Sequence, residues 1–215
     1  MPGKDSPLYE KTLRIPGIML MAGRSSRMGF PKALLPFGDQ PLLAVLLKRI
    51  LESDLEPVIL VLGPHPRKMR KALGWLQGQA KLKIIRNPDY RQGLSTSIQK
   101  GLTQVPPWAR GVMFLMGDQP LLTAPVINRL IRAFLKTADA ILVPHYGRRP
   151  GNPVLFPKAL IPELRKLSGD TGGREVIKKY PDRVQGLLIR PQRIGWDMDT
   201  WEDYQRAKGF LYEKN

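Results

Sequence analysis

The chain has 215 residues, with 35 Lys and Arg against 18 Asp and Glu for a formal charge of +17, two histidines and no cysteine. This excludes disulfide scaffolds, thiolate metal sites, cysteine nucleophiles and multi-histidine zinc sites, while 42% hydrophobic and 25% charged residues exclude a disordered chain. No apolar run approaches the ~20 residues of a membrane span, and residues 1–14 are polar, so the expectation is a cytoplasmic protein without membrane contact. Residues 1–14 read as a flexible N-terminal extension and 15–215 as a single domain. The first apolar run, 18–22, predicts a strand followed by a Gly/Ser/Arg loop. Over 41–53 the apolar residues Leu42, Leu43, Val45, Leu46, Leu47, Ile50 and Leu51 form a helical stripe. The run 58–62 is apolar throughout, as parallel strands covered on both faces are. A basic helix over 67–76 follows, its Arg67, Lys68, Arg70 and Lys71 reading as a solvated face. Next come a short strand over 82–85, a helix over 94–102 and an all-apolar strand over 112–116, which ends at Gly117-Asp118-Gln119-Pro120. The pattern continues with a helix over 124–136, a strand over 140–143 and a strand over 152–156 outside the regular alternation. Residues 157–180 read as helix in two pieces, broken at 168–173. A strand over 184–189 and a helix over 201–211 close the chain. The four tryptophans read as packing residues.

Strand–helix alternation specifies an α/β fold: a doubly wound, mostly parallel sheet with helices on both faces. Ligands of such sheets bind at the carboxyl ends of the strands. The loops after Ala22, Leu62, Met116 and Val143 are therefore the expected functional edge. The first of them carries Gly23, Gly29, Arg27 and Lys32. Glycines permit close backbone approach, successive N–H groups can form an anion-binding nest, and Arg27 and Lys32 add charge for phosphates. Neither a P-loop nor a GxGxxG fingerprint is present. On its residues alone the loop is a phosphate cradle or, more plainly, a flexible basic connector.

The carboxylates have similar double readings. Asp118 follows an apolar strand and a glycine, where a turn residue or helix cap is common. Asp197 and Asp199, two residues apart, share a face of an extended segment. Asp118 with Asp199 would hold Mg²⁺ in a carboxylate-poor site, leaving positions for triphosphate oxygens and water; Asp199 alone would be the N-cap of the last helix. The loop 147–153, with Arg148 and Arg149, offers donors to an acceptor molecule. So does Asp170-Thr171-Gly172-Gly173-Arg174, in which Asp170 could instead be a helix N-cap. His65 and His145 read as surface or hydrogen-bonding residues.

Six motifs in order carry a resemblance. Leu20-Met21-Ala22-Gly23-x-Ser25-x-Arg27-Met28-Gly29, then Lys32, resembles the LAAGxSxRMG…K opening of the MobA-like nucleotidyltransferases. Gly93-Leu94-Ser95-Thr96-Ser97 is similar to that family's GxSxS segment, and Gly117-Asp118-Gln119-Pro120 to its GD[QM]P metal motif. Gly151-Asn152-Pro153 and Gly169-Asp170-x-Gly172-x-Arg174 resemble acceptor-side motifs of the molybdenum cofactor cytidylyltransferase branch, and 197–204 its closing D[IV]DTPEDY. Met21 and Trp201 depart from the usual alanine and proline. The resemblance implies the Rossmann-like nucleotide-diphospho transferase fold and transfer of CMP from CTP, or of another NTP's monophosphate, to a phosphorylated molybdopterin-type acceptor, with Mg²⁺ and release of pyrophosphate. It implies nucleotide contacts from Leu20, Met21, Ala22, Gly23, Ser25, Arg27, Lys32, Gly93, Ser95 and Ser97. Acceptor contacts would come from Gln119, Gly151, Asn152, Asp170 and Arg174. Asp118 and Asp199 would be metal ligands with Asp197 beside them, and Arg27, Lys32 and Asp118 the catalytic groups. Ala22 goes with the cytidylyl branch; glycine there goes with the guanylyl branch. A guanylyl- or sugar-phosphate nucleotidyltransferase of the same fold, or a molybdenum cofactor carrier with little turnover, are the alternatives. The charge fits polyphosphate substrates and an acidic molybdoenzyme partner. No zinc-finger spacing or aromatic-basic repeat points to nucleic acid.

Overall fold

Strand β1 (Ile15–Met21) is buried at every position, as a strand must be when helices cover both faces of a parallel sheet. The structure is a computed structural model and describes residues 14–21, 29–137 and 139–212. The expected phosphate loop, with Ala22, Gly23, Ser25 and Arg27, lies outside the described residues, as does most of the expected N-terminal extension.

A hairpin of two very short strands, β2 (Pro36–Phe37) and β3 (Gln40–Pro41), precedes the next long strand. Two residues are too few to show a period-2 pattern, so this hairpin has no sequence signal. β1 pairs in parallel with β4 (Leu55–Leu62), and β5 (Leu82–Arg86) lies parallel outside β4. On its other side β1 pairs in parallel with β6 (Gly111–Met116). β7 (Ile141–Tyr146) carries the two-residue β8 (Arg149–Pro150) antiparallel along its edge. β9 (Val154–Pro157) is antiparallel to both β6 and β7 and joins them, and β10 (Val184–Leu188) lies parallel to β7. Among the described residues the sheet therefore runs β10-β7-β9-β6-β1-β4-β5. The strand expected outside the alternation is the antiparallel one. Strand order reverses around β1, so the loops after β1 and β6 flank the topological switch point where α/β sheets bind ligands.

The helices are α1 (Leu42–Leu51), α2 (Pro66–Leu73), α3 (Leu94–Leu102), α4 (Ala124–Lys136), α5 (Ile161–Arg165), α6 (Gly173–Lys179) and α7 (Trp201–Tyr212). Helices α1, α2, α4 and α7 bury their apolar residues on one face of the sheet, with Met19 and Met21 of β1. α3, α5 and α6 cover the other face, with Ile18 and Leu20. That split follows from the alternation of side chains along a strand.

Three details depart from expectation. β7 continues to Tyr146 rather than ending at 143, which moves the functional loop onto Arg148 and Arg149. The basic helix stops at Leu73, and Gly74, at φ 53°, passes the chain into a 3-10 turn. The tryptophans are not core residues: Trp75, Trp108, Trp196 and Trp201 are 37–66% exposed. Trp196 and Trp201 make edge-on contacts with Phe210 and Tyr204 instead. No helix among the described residues is long and apolar enough to cross a membrane.

Candidate active site

Asp118 sits in the turn that ends β6, and its backbone carbonyl accepts the Met198 N–H at 2.8 Å. This bond brings the Asp197–Asp199 segment, near the end of the chain, onto the carboxyl edge of the central strands. The preceding residue is Gly117, where a Cβ would displace the thioether of Met21. Met21 thus packs under the Asp118 turn and belongs to the core, as does Leu20 on the opposite face. Any nucleotide contact from these two residues falls to their backbone.

Burial pushes the Asp118 carboxyl up to about 6, assisted by the negative charge of Asp197, with Lys32 opposing. Asp197 is raised as well, by burial and then by Asp199. Asp118 Oδ1 is buried without a hydrogen-bond partner, a costly state for a polar atom. Two raised carboxylates beside the charge of Asp199, one of them with an orphaned oxygen, are a fitting environment for a cation. Among the described residues no group of three or more His, Cys, Asp or Glu forms a ready-made metal cage. Asp118 and Asp199 therefore fit a divalent ion that takes its remaining ligands from phosphate oxygens and water. The Gln119 amide is buried next to Asp118 and favours the ionised form of Asp197, yet neither of its ends makes a hydrogen bond of good geometry.

Lys32 Nζ donates to Asp199 Oδ1 at 2.6 Å and is largely buried. The expected phosphate-binding lysine and an expected metal ligand are therefore one ion pair. Asp199 does not cap α7. Thr200 does: its Oγ1 accepts the Asp203 N–H at 3.1 Å, while Asp203 Oδ2 accepts the Thr200 and Asp199 N–H groups at 3.0 and 3.1 Å. This is a reciprocal capping box. Asp203, though somewhat desolvated, is held below its ordinary value by those N–H and hydroxyl donors.

The Gly93–Ser97 segment opens α3. Its hydroxyls are engaged internally: Ser95 Oγ donates to Gly169 O at 2.7 Å, and Ser97 Oγ accepts from Asn87 Nδ2 at 2.9 Å. Asp170 does not cap the helix that follows it; α6 has Gly172 at its N-cap position and no side-chain cap. Its Oδ1 instead accepts the Leu94 N–H at 3.1 Å.

Gly151, Asn152 and Arg174 meet in a cleft of about 550 Å³ that reaches Asp197. The Tyr146 hydroxyl donates to the Asn152 carbonyl at 2.7 Å and fixes that loop. Burial and then the Asp197 charge raise the Tyr146 phenol, so it stays a neutral donor. Arg148, Arg149 and Arg206 also line the cleft, and Arg206 lies over the Trp196 ring. The first two were visible as a basic loop. Arg206 and Trp196 were not legible: an arginine on a helix near the end of the chain has the pattern of a solvated face.

Comparison with known proteins fits this geometry. A model of the MobA-like NTP transferase domain matches residues 17–184. The molybdenum cofactor cytidylyltransferase of Escherichia coli (strain K12) is 30% identical over 191 residues, covering 89% of this chain and 94% of that protein. The crystal structure of Rv0371c from Mycobacterium tuberculosis H37Rv superposes with a TM-score of 0.78 at 29% identity, covering 91% of this chain and 98% of that one. A manganese complex of Rv0371c superposes with a TM-score of 0.74 at 28% identity, over 91% of this chain and 98% of that one.

Proposed function

This chain belongs to the MobA-like NTP transferase family and is a nucleotidyltransferase, and we propose that it moves CMP from CTP to the phosphate of a molybdopterin-type acceptor. The observation that carries the reading is the orphaned, buried oxygen of Asp118 beside Asp197 and Asp199, at the carboxyl edge where the cleft begins. The 30% identity to a molybdenum cofactor cytidylyltransferase supports the choice of substrates.

The acceptor phosphate attacks the α-phosphorus in line; a new P–O bond forms and the bond to pyrophosphate breaks. A phosphomonoester has a second pKa near ~6 and is mostly ionised at neutral pH. No general base is needed. Catalysis rests on alignment and charge. Asp118 and Asp199 would hold a Mg²⁺ ion, which would supply neutralisation of the reacting phosphates; the manganese complex of the similar Rv0371c supports a divalent metal. Lys32 and Arg27 of the sequence motif would balance the charge of the leaving pyrophosphate. Gln119, buried next to Asp118, and Arg174, close enough to Asp197 to stabilise its charge, would hold the acceptor with Gly151 and Asn152. The resemblance ties the choice of base to Ala22, where alanine goes with the cytidylyl branch and glycine with the guanylyl branch.

The test is pyrophosphate release with a molybdopterin acceptor, Mg²⁺, and CTP or GTP at equal concentration. CTP should win. The ratio should fall in Ala22→Gly, by no more than the ~1–3 kcal/mol that one methyl is worth. A kcat/KM ratio favouring GTP in the wild type overturns the cytidylyl assignment.

A further inference from the structure

The start of α3 and the segment ahead of α6 are joined along their length. Ser95 donates to the Gly169 carbonyl through both its N–H, at 3.3 Å, and its hydroxyl, at 2.7 Å. The Leu94 N–H goes to Asp170 Oδ1 at 3.1 Å. One turn on, Gln99 Nε2 donates to the Arg165 and Leu167 carbonyls at 3.0 and 2.7 Å. The backbones touch as well: a Cβ at Gly93 would overlap the Gly169–Asp170 peptide, and Gly93 stands at φ 118°. A Cβ at Gly172 would come within 2.9 Å of the Leu94 side chain. Four residues beyond Asp170, Arg174 lines the cleft and acts on Asp197.

We infer that Asp170 is a positioning residue that caps α3 across the chain and couples the nucleotide side of the site to the acceptor side. This rests on the functional reading above, in which Gly93–Ser97 serves the nucleotide and Arg174 the acceptor. Leu94 is the first residue of α3, and its N–H has no partner within the helix. A carboxylate from the acceptor side satisfies it and complements the positive end of the helix. The 169–174 segment cannot shift as an acceptor enters without moving the start of α3. Two ligands that share one such element bias each other's binding reciprocally. Acceptor should tighten NTP binding, and NTP should tighten acceptor binding by the same factor.

The experiment compares Asp170→Asn with Asp170→Ala in the full chain. Asparagine keeps an oxygen at the cap and serves nearly as well there as aspartate, whereas alanine does not. NTP binding is titrated without turnover, using CTP and GTP, and KM is measured for each substrate with the other varied. Asp170→Ala should weaken the preferred NTP about fivefold, the scale of a lost N-cap, and abolish the dependence of NTP KM on acceptor. Asp170→Asn should stay within about twofold of wild type. Ser95→Ala should shift NTP binding in the same direction, and its effect should not add to that of Asp170→Ala. Thermal melts report folding separately. If Asn and Ala are equally damaging, or only the acceptor KM changes, Asp170 touches the acceptor and the inference falls alone. A wild type that binds neither NTP overturns the functional reading and this inference with it.

Discussion

Asp118 is kept in the fold at a cost that its task explains. Its carboxyl is raised from 3.8 to about 6, chiefly by burial. Below pH ~4 both the folded and the unfolded chain hold the proton, and nothing is lost. Between about pH 4 and 6 the unfolded chain releases this proton while the folded chain still holds it, so stability falls by something on the order of 2–3 kcal/mol and stays lower above about 6, where the folded chain carries the desolvated charge. Asp118→Asn should therefore raise the melting temperature of the metal-free protein at pH 7 while leaving it unchanged near pH 4. The same variant should lose at least about a hundredfold in kcat, because charge stabilisation by a metal is worth several kcal/mol. Melting curves at the two pH values, with and without Mg²⁺, and a pyrophosphate assay check both halves; added Mg²⁺ should stabilise the wild type and not the variant. Asp199→Asn should resemble it in activity, and Asp197→Asn should be milder. Equal, small losses in all three would move the metal elsewhere. The family resemblance made these three residues legible as one acidic centre. The Lys32–Asp199 pair was not legible, since 167 positions separate its partners.

At the scale of elements, the position of each charge decides its effect. Arg67 and Lys71 stand on the solvent side of α2, both exposed. Lys32 follows the β1 loop and reaches Asp199. Lys32→Ala should raise the KM for NTP at least about tenfold, the loss of a charge-assisted phosphate contact, whereas Arg67→Ala and Lys71→Ala should change it less than about twofold. Steady-state kinetics on the three variants settle the point, and one common modest loss would mean that the charge acts only as a field. The α7 capping box offers a second test. Thr200→Ala removes a cap worth ~1 kcal/mol and should lower the melting temperature by roughly 2–4 °C. It should also reduce kcat, because the Asp199 N–H is tied to the same Asp203 carboxylate. An unchanged kcat would separate the cap from the site. The helices α3 and α4 were readable to the residue because their apolar stripes are long. Asp170 was read as a cap for its own helix or an acceptor contact; a cap supplied from 76 residues away leaves no local pattern.

For the whole molecule, a charge of +17 raises the local concentration of anions and speeds their capture. Raising salt from ~20 to ~200 mM should shorten the screening length severalfold and lower kcat/KM for NTP, with kcat nearly unchanged. A flat kcat/KM would mean that the net charge plays no part in substrate capture. The arginine cleft belongs to this scale too. Arg148 and Arg149 come from the β7–β8 turn, Arg174 from α6 and Arg206 from α7. Only the closed sheet brings these four into one wall.

The sequence by itself determined the fold class and the order of the long elements. Apolar periodicity and unbroken apolar strands are local properties that survive without knowledge of contacts. It also determined that Asp118, Asp197 and Asp199 belong to one centre, through motifs whose order does not depend on geometry. Tertiary structure alone decided what those residues do to one another. Burial raises Asp118, the Met198 N–H draws the last aspartates onto it, and Lys32 closes on Asp199. Desolvation and pairing are properties of the assembled interior, where charges far apart along the chain come to share a space that water has left.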